Sequence, residues 1–156
     1  MTIVSRVNCG KGVGYGHLFR CMSLAKALTD SGNIEVLFVS NEEAAQHLTS
    51  NNITFVIREC FDDTDLLRSL NPDLVVVDSY EVGTDYLEEI GHFSRLLIFD
   101  YENLFESVRA DFVVNGNIYA DYVSHGYEDS LTLFGPSYLI LKPEYWKEEV
   151  SKISYG

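Results

Sequence analysis

The sequence predicts an α/β fold, a parallel sheet with helices on both faces, and three observations predict it. Short runs that are apolar at every position, such as Leu74-Val75-Val76-Val77 and Leu96-Leu97-Ile98-Phe99, have the continuous hydrophobicity of strands buried on two sides. Segments with apolar residues at helical spacing lie between them. Glycine, proline or asparagine marks most junctions, so each strand is followed by a helix and joined to the next by a right-handed crossover. At 156 residues with 46% hydrophobic and 22% charged residues, the chain has the material for one packed core. A single domain over residues 1–156 is expected.

Residues 3–7 are rich in β-branched side chains and run into Gly10, Gly12, Gly14 and Gly16. Leu18, Cys21, Met22, Ala25 and Leu28 then recur at helical spacing, and Ser31-Gly32 should end that helix because glycine accepts the left-handed cap conformation. Residues 34–39 read as the second strand. Asn41 is placed to N-cap a helix reaching about Leu48. Residues 53–57 form a third strand, 62–70 a helix with an acidic start, and 74–77 a fourth strand ending at Asp78, with Pro72 breaking the chain before it. Residues 84–90 read as a helix with Gly91 at its end. Residues 96–99 are a fifth strand running into Asp100, and 112–114 a short sixth. Residues 115–129, rich in Asn, Gly and Tyr, read as a surface loop, and 145–151 as a terminal helix in which Trp146 packs back on the domain. The architecture is Rossmann-like.

Eleven basic against 24 acidic residues give a net charge of −13, which disfavours nucleic acid and anionic membrane surfaces as partners. An anionic small ligand stays open, because helix N-termini and backbone N–H groups bind phosphate locally. The opening Met-Thr-Ile-Val-Ser-Arg has no apolar signal stretch and no run suits membrane insertion, so a cytoplasmic location is expected. Cys9, Cys21 and Cys60 have no CxxC spacing and read as free thiols. His47, His92 and His125 lack metal-ligand spacing and read as solvated surface, so no metal and no cofactor is expected.

In such sheets ligands bind beyond the carboxyl ends of the strands. Those positions are polar here: Asn8 and His17 after the first strand, Asp78-Ser79-Tyr80 after the fourth, Asp100-Tyr101-Glu102 after the fifth and Asn115-Gly116-Asn117 after the sixth. The loop glycines fall at every second position, which is not GxGxxG, and Lys11 does not fit a Walker loop. What remains is a side-chain-poor approach to a helix N-terminus. His17 in the first turn lies at the positive end of the macrodipole, which favours the uncharged imidazole a general base needs; a capping or packing histidine is the alternative. Arg20, one turn on, either binds an anionic substrate or pairs with Asp78 or Asp100.

Arg6-Val7-Asn8 followed by Gly12-Val13-Gly14-Tyr15-Gly16-His17-Leu18-Phe19-Arg20-Cys21 resembles the R-x-D…I-G-x-G-H-x-x-R-C pattern of the UDP-sugar hydrolases of pseudaminic acid biosynthesis and the related spore-coat polysaccharide proteins. Val76-Val77-Asp78-Ser79-Tyr80 is similar to their V-V-D-x-Y, and Phe99-Asp100-Tyr101 to their I-D-D. Ala110-Asp111-Phe112-Val113-Val114-Asn115-Gly116-Asn117 is similar to A-D-x-x-x-N-x-N, and Gly135 to Tyr145 to G-P-x-Y-x-L-L-R-P-E-F. Asn8 and Tyr101 stand where the family has aspartates.

The resemblance implies the N-terminal half of a GT-B fold of the MurG type, with the active site between two Rossmann-like halves and most uridine-diphosphate contacts on the C-terminal half. That half would lie further along a longer protein or on another chain. The implied activity is hydrolysis of a UDP-linked diacetamido-trideoxyhexose at its anomeric carbon, in surface-glycan synthesis. His17 matches the catalytic base. Arg6, Gly14, Gly16, Arg20, Asp78, Tyr80, Asp100 and Asn117 are the expected substrate-binding residues, with Tyr80 near the sugar or else packed at a strand end. A glycosyltransferase would use the same base on an acceptor hydroxyl, so His17 does not separate the two. A sugar- or partner-binding module without catalysis is the other reading. A phosphoacceptor receiver domain would explain the acidic strand ends but not the His17 loop.

Overall fold

The computed structural model describes residues 1–105, 108–122, 126–127 and 129–146. Its centre is a seven-stranded sheet in the order β3-β2-β1-β4-β5-β6-β7, every neighbour parallel. The strands are β1 (Thr2–Val7), β2 (Glu35–Ser40), β3 (Thr54–Ile57), β4 (Leu74–Asp78), β5 (Arg95–Phe99), β6 (Phe112–Asn115) and β7 (Leu131–Phe134). Four α-helices cover it: α1 (Gly16–Asp30), α2 (Ala45–Ser50), α3 (Thr64–Ser69) and α4 (Thr84–Gly91).

The two-residue period of a strand divides the core between the faces. Ile3, Val7, Phe38, Val76 and Phe99 pack with Leu18, Cys21 and Ala25 of α1 and Leu48 of α2. Val4, Val39, Val75, Val77 and Ile98 pack with Leu67 of α3 and Leu87 and Ile90 of α4. The fully buried Leu48, Leu87 and Ile90 each contribute about 1.5–3 kcal/mol by removal from water. Helices thus lie on both faces.

Four local features differ from the sequence reading. Leu131–Phe134 is a seventh strand, added at the sheet edge beside β6, where the sequence reading assigned none. The helix after β3 starts at Thr64 rather than Asp62, because the side chain of Asp63 is drawn into an ion pair with Arg6 and a hydrogen bond from Tyr86. Asn41 precedes a 3₁₀ turn, Glu42–Ala44, and its side chain caps nothing; it instead accepts the N–H of Cys9 at 3.1 Å and donates to the Cys9 carbonyl at 2.7 Å. Near the end, Pro143–Tyr145 is a 3₁₀ turn; the rest of the expected terminal helix lies outside the described residues, as does His125. Trp146 is 42% exposed and donates its indole N–H to the Leu141 carbonyl at 2.9 Å.

Candidate active site

Strand order reverses direction at β1, whose neighbours are β2 on one side and β4 on the other. A crevice opens at such a switch point, outside the carboxyl ends of the strands. The loop leaving β1 turns at Gly10, Gly12 and Gly14, with φ of +113°, +93° and +83°. Gly10 and Gly14 exchange backbone hydrogen bonds of 3.1 and 2.7 Å. At position 10 the positive φ favours glycine, and a Cβ there would lie 1.2 Å from Glu43 Oε2, the oxygen that accepts the Lys11 N–H at 3.2 Å, so the Glu43 side chain would have to move. Gly14 and Gly16 have open space above them. The loop delivers the chain to α1, whose N-cap, Tyr15, forms no side-chain cap.

One turn of α1 and the end of β4 then meet. His17 Nδ1 lies 2.5 Å from Asp78 Oδ1. Arg20 donates from Nε to Asp78 Oδ2 at 2.7 Å and from Nη2 to Oδ1 at 2.6 Å, a bidentate pair. Of the two partners the sequence left open for Arg20, the structure has Asp78. The Cys21 thiol points at the same carboxylate, 3.8 Å from Oδ2. The Asp78 side chain is 1% exposed and that of Arg20 18%. Burial pushes the Asp78 carboxyl up, but hydrogen bonds from His17 and Arg20 and the Arg20 charge outweigh it, so Asp78 titrates below the usual carboxylate range. Burial opposes the Arg20 charge in turn, yet its bonds to Asp78 raise its pKa further.

An ionised Asp78 can only accept, so the neutral His17 tautomer that it favours carries the proton on Nδ1 and keeps the lone pair on Nε2; Arg20 Nη2 also lies 3.3 Å from Nδ1. Beside His17 stands Tyr80, 43% exposed, its ring edge-on at 4.9 Å between centroids. Burial of part of Tyr80 raises its phenol pKa above an ordinary value at which the O–H is already protonated at neutral pH. Behind Arg20 lie the rings of Phe99 and Tyr101, 4.8 and 4.3 Å from the guanidinium carbon.

The other expected binding residues occupy different surroundings. Arg6 is completely buried: Nε pairs with Asp63 at 2.8 Å, Nη1 donates to Asn8 at 2.6 Å, Nη2 donates to the Cys60 carbonyl at 2.8 Å, and Phe61 stacks at 4.0 Å. Asn8 passes the tether on, donating to the Glu59 carbonyl at 2.9 Å. Asp100, also fully buried, accepts the N–H groups of Glu102, Leu104 and Phe105 at 3.0–3.2 Å and the Tyr127 hydroxyl. These two shape the loops after β3 and β5. Asn117 is exposed after β6, its N–H on Asn115 Oδ1 at 3.1 Å.

Sequence reasoning had set His47 aside as solvated surface. It is half-buried, edge-on to Tyr15 at 5.1 Å and Phe19 at 5.3 Å. The Tyr15–Phe19 spacing of one helical turn was the available signal. Two large concavities lie elsewhere: about 650 Å³ between α1, residues 51–54 and Lys142, and about 800 Å³ at the opposite end of the sheet around Arg95 and Arg109. Neither is lined by His17, Arg20, Asp78 or Tyr80. Among the described residues no group of His, Cys, Asp and Glu is gathered as a metal site, and no helix is long and apolar enough to cross a membrane.

No protein-family model matches the chain. Over 152 residues it is 30% identical to an uncharacterized protein of Methanocaldococcus jannaschii, a match covering 91% of this chain and 31% of that protein. The crystal structure of Acinetobacter baumannii MurG is similar with a TM-score of 0.56 at 16% identity, covering 85% of this chain and 44% of that chain. The chain therefore has the fold of one Rossmann-like unit of a GT-B protein, and it spans about a third of the curated relative and under half of the structural one.

Proposed function

We propose that this domain is the sugar-side, N-terminal half of a nucleotide-sugar enzyme, and that His17 is the general base activating water for hydrolysis of a UDP-sugar. The observation that carries this reading is the His17–Asp78–Arg20 cluster at the switch point: a buried carboxylate holds Nδ1 and leaves Nε2 to take a proton. Water loses that proton to Nε2 as its oxygen bonds to the anomeric carbon. The bond from that carbon to the β-phosphate oxygen breaks, and UDP leaves with the electron pair. Asp78 stabilises the imidazolium so formed, and Tyr80 offers a protonated phenol to the sugar.

The nucleotide site belongs to a second half, in the same protein or on another chain. Ile118, Tyr119 and Tyr122 after β6 and Leu139 and Leu141 after β7 are 46–86% exposed at the carboxyl end of the sheet, a surface suited to cover by that half. A second reading, transfer of the sugar to an acceptor hydroxyl through the same base, draws on the likeness to MurG, a GT-B glycosyltransferase.

The test is UDP release from UDP-diacetamido-sugars by the chain alone and with a cognate C-terminal half. Turnover in water alone supports hydrolysis, with His17→Ala losing about 10²–10⁴ in rate. Turnover that requires an added sugar acceptor supports transfer. Absence of turnover in every combination refutes the enzyme reading and leaves a binding module.

A further inference from the structure

Asp78 is held by Arg20, and something must in turn hold Arg20, whose long side chain starts in a helix and ends at the edge of an open face. Phe99 contributes one ring, rigidly, from inside β5. The closer ring belongs to Tyr101, two residues past Phe99 in the loop after β5. Its hydroxyl is buried and has no hydrogen-bond partner among the described residues, so packing and the Arg20 contact set the ring. That packing is close: a Cβ on Gly116 would lie 3.2 Å from the Tyr101 hydroxyl and 2.9 Å from the Leu139 Cα. The phenol meets Arg20 with its ring and approaches Gly116, just after β6, with its hydroxyl.

We propose that Tyr101 is a positioning residue for the base: its ring fixes the plane of the Arg20 guanidinium, which fixes Asp78, which fixes the tautomer and orientation of His17. The inference rests on reading His17 as the base. Its physical content is that a bidentate Arg–carboxylate pair is directional, so a guanidinium free to tilt gives Asp78 an alternative orientation and His17 Nδ1 a looser acceptor. A ring face at 4.3 Å removes that freedom while attracting the cation. Because the Tyr101 hydroxyl abuts Gly116, which itself abuts the Leu139 backbone beside exposed Asn117, Ile118 and Leu141, whatever covers that surface bears on the base through Gly116 and Tyr101.

Nitrogen NMR of the free protein tests this without any substrate. The expected wild-type result is a slowly exchanging Arg20 Nε–H and a His17 ring with its proton on Nδ1. Tyr101→Phe, which keeps the ring and drops an unpartnered hydroxyl, should leave both signals unchanged. Tyr101→Leu should speed Arg20 Nε–H exchange by about tenfold and give a mixture of His17 tautomers. Tyr101→Met, which removes the ring and keeps a long apolar side chain, should shift both signals in the same direction and serves if the leucine variant does not fold. Wild-type signals in the folded leucine or methionine variant overturn the proposal. In the turnover assay Tyr101→Leu should lower kcat about tenfold with little change in KM. If His17→Ala keeps full turnover, the base reading fails, while the NMR result still decides what Tyr101 positions.

Discussion

Replacing Asp78 by Asn removes the charge on which His17 and Arg20 converge and keeps the shape. Removing one member of a buried ion pair costs about 3–5 kcal/mol, most of it the penalty of the charge left behind. Here Asn retains one acceptor oxygen and the Arg20 side chain reaches solvent, so about 2–3 kcal/mol is expected at pH 7. For a domain of this size that lowers Tm by about 5–10 °C. The pH dependence gives a sharper check. Asp78 titrates lower in the folded protein than in the unfolded chain, so its contribution is fully present above the unfolded value of about 4 and is lost as pH falls through the folded one. The stability difference between wild type and Asp78→Asn should be present above about pH 5 and shrink in more acid solution. Urea unfolding at a series of pH values measures it. Equal stability at pH 7, or a gap that persists unchanged in acid, would refute the account of Asp78 as a buried, charge-paired carboxylate.

Two further substitutions test the frame around the site. Arg6→Met should destabilise by about 3–5 kcal/mol in urea unfolding because it strands buried Asp63, and adding Asp63→Asn should recover part of that loss. Gly10→Ala should cost about 1–3 kcal/mol by the same measurement, from the positive φ and the clash with Glu43. Combining it with Glu43→Ala relieves the clash and leaves the backbone strain, so the double variant stays less stable than Glu43→Ala alone.

The alternation of strands and helices was legible because β4 and β5 are buried on both faces and therefore apolar at nearly every position. β7 escaped notice for the opposite reason. At the sheet edge Leu131 is exposed and Thr132 and Leu133 are half-buried, so four residues carry too little pattern against the irregular segment before them. Ser130 and Gly135 on either side were the remaining clue. The placing of His17 and Asp78 at two strand ends beside the switch point was legible, but their hydrogen bond was not, and the sequence left Arg20 between Asp78, Asp100 and an anionic substrate because spacing alone does not fix where a long side chain ends. Arg6 shows the limit of such reasoning. An arginine near a strand's carboxyl end faces the crevice or the core according to strand parity, and its partners Asp63 and Phe61 lie more than fifty residues away, where sequence spacing carries no signal. Asn41 likewise has the residue type of a helix cap, and only the approach of Cys9 from another segment redirects its side chain.

The placement of β1 between β2 and β4 has a kinetic consequence. As the chain leaves a ribosome, β1 can pair with β2 early, but its other edge waits until Leu74–Asp78 has been made, since Ile3 pairs with Leu74 and Val7 with Asp78. At about 5–20 residues per second that delay is roughly 4–14 s, during which the middle of the future sheet is an open edge. The strand that closes this edge also carries Asp78, so the nascent chain gains its central pairing and the carboxylate that orders His17 in one event.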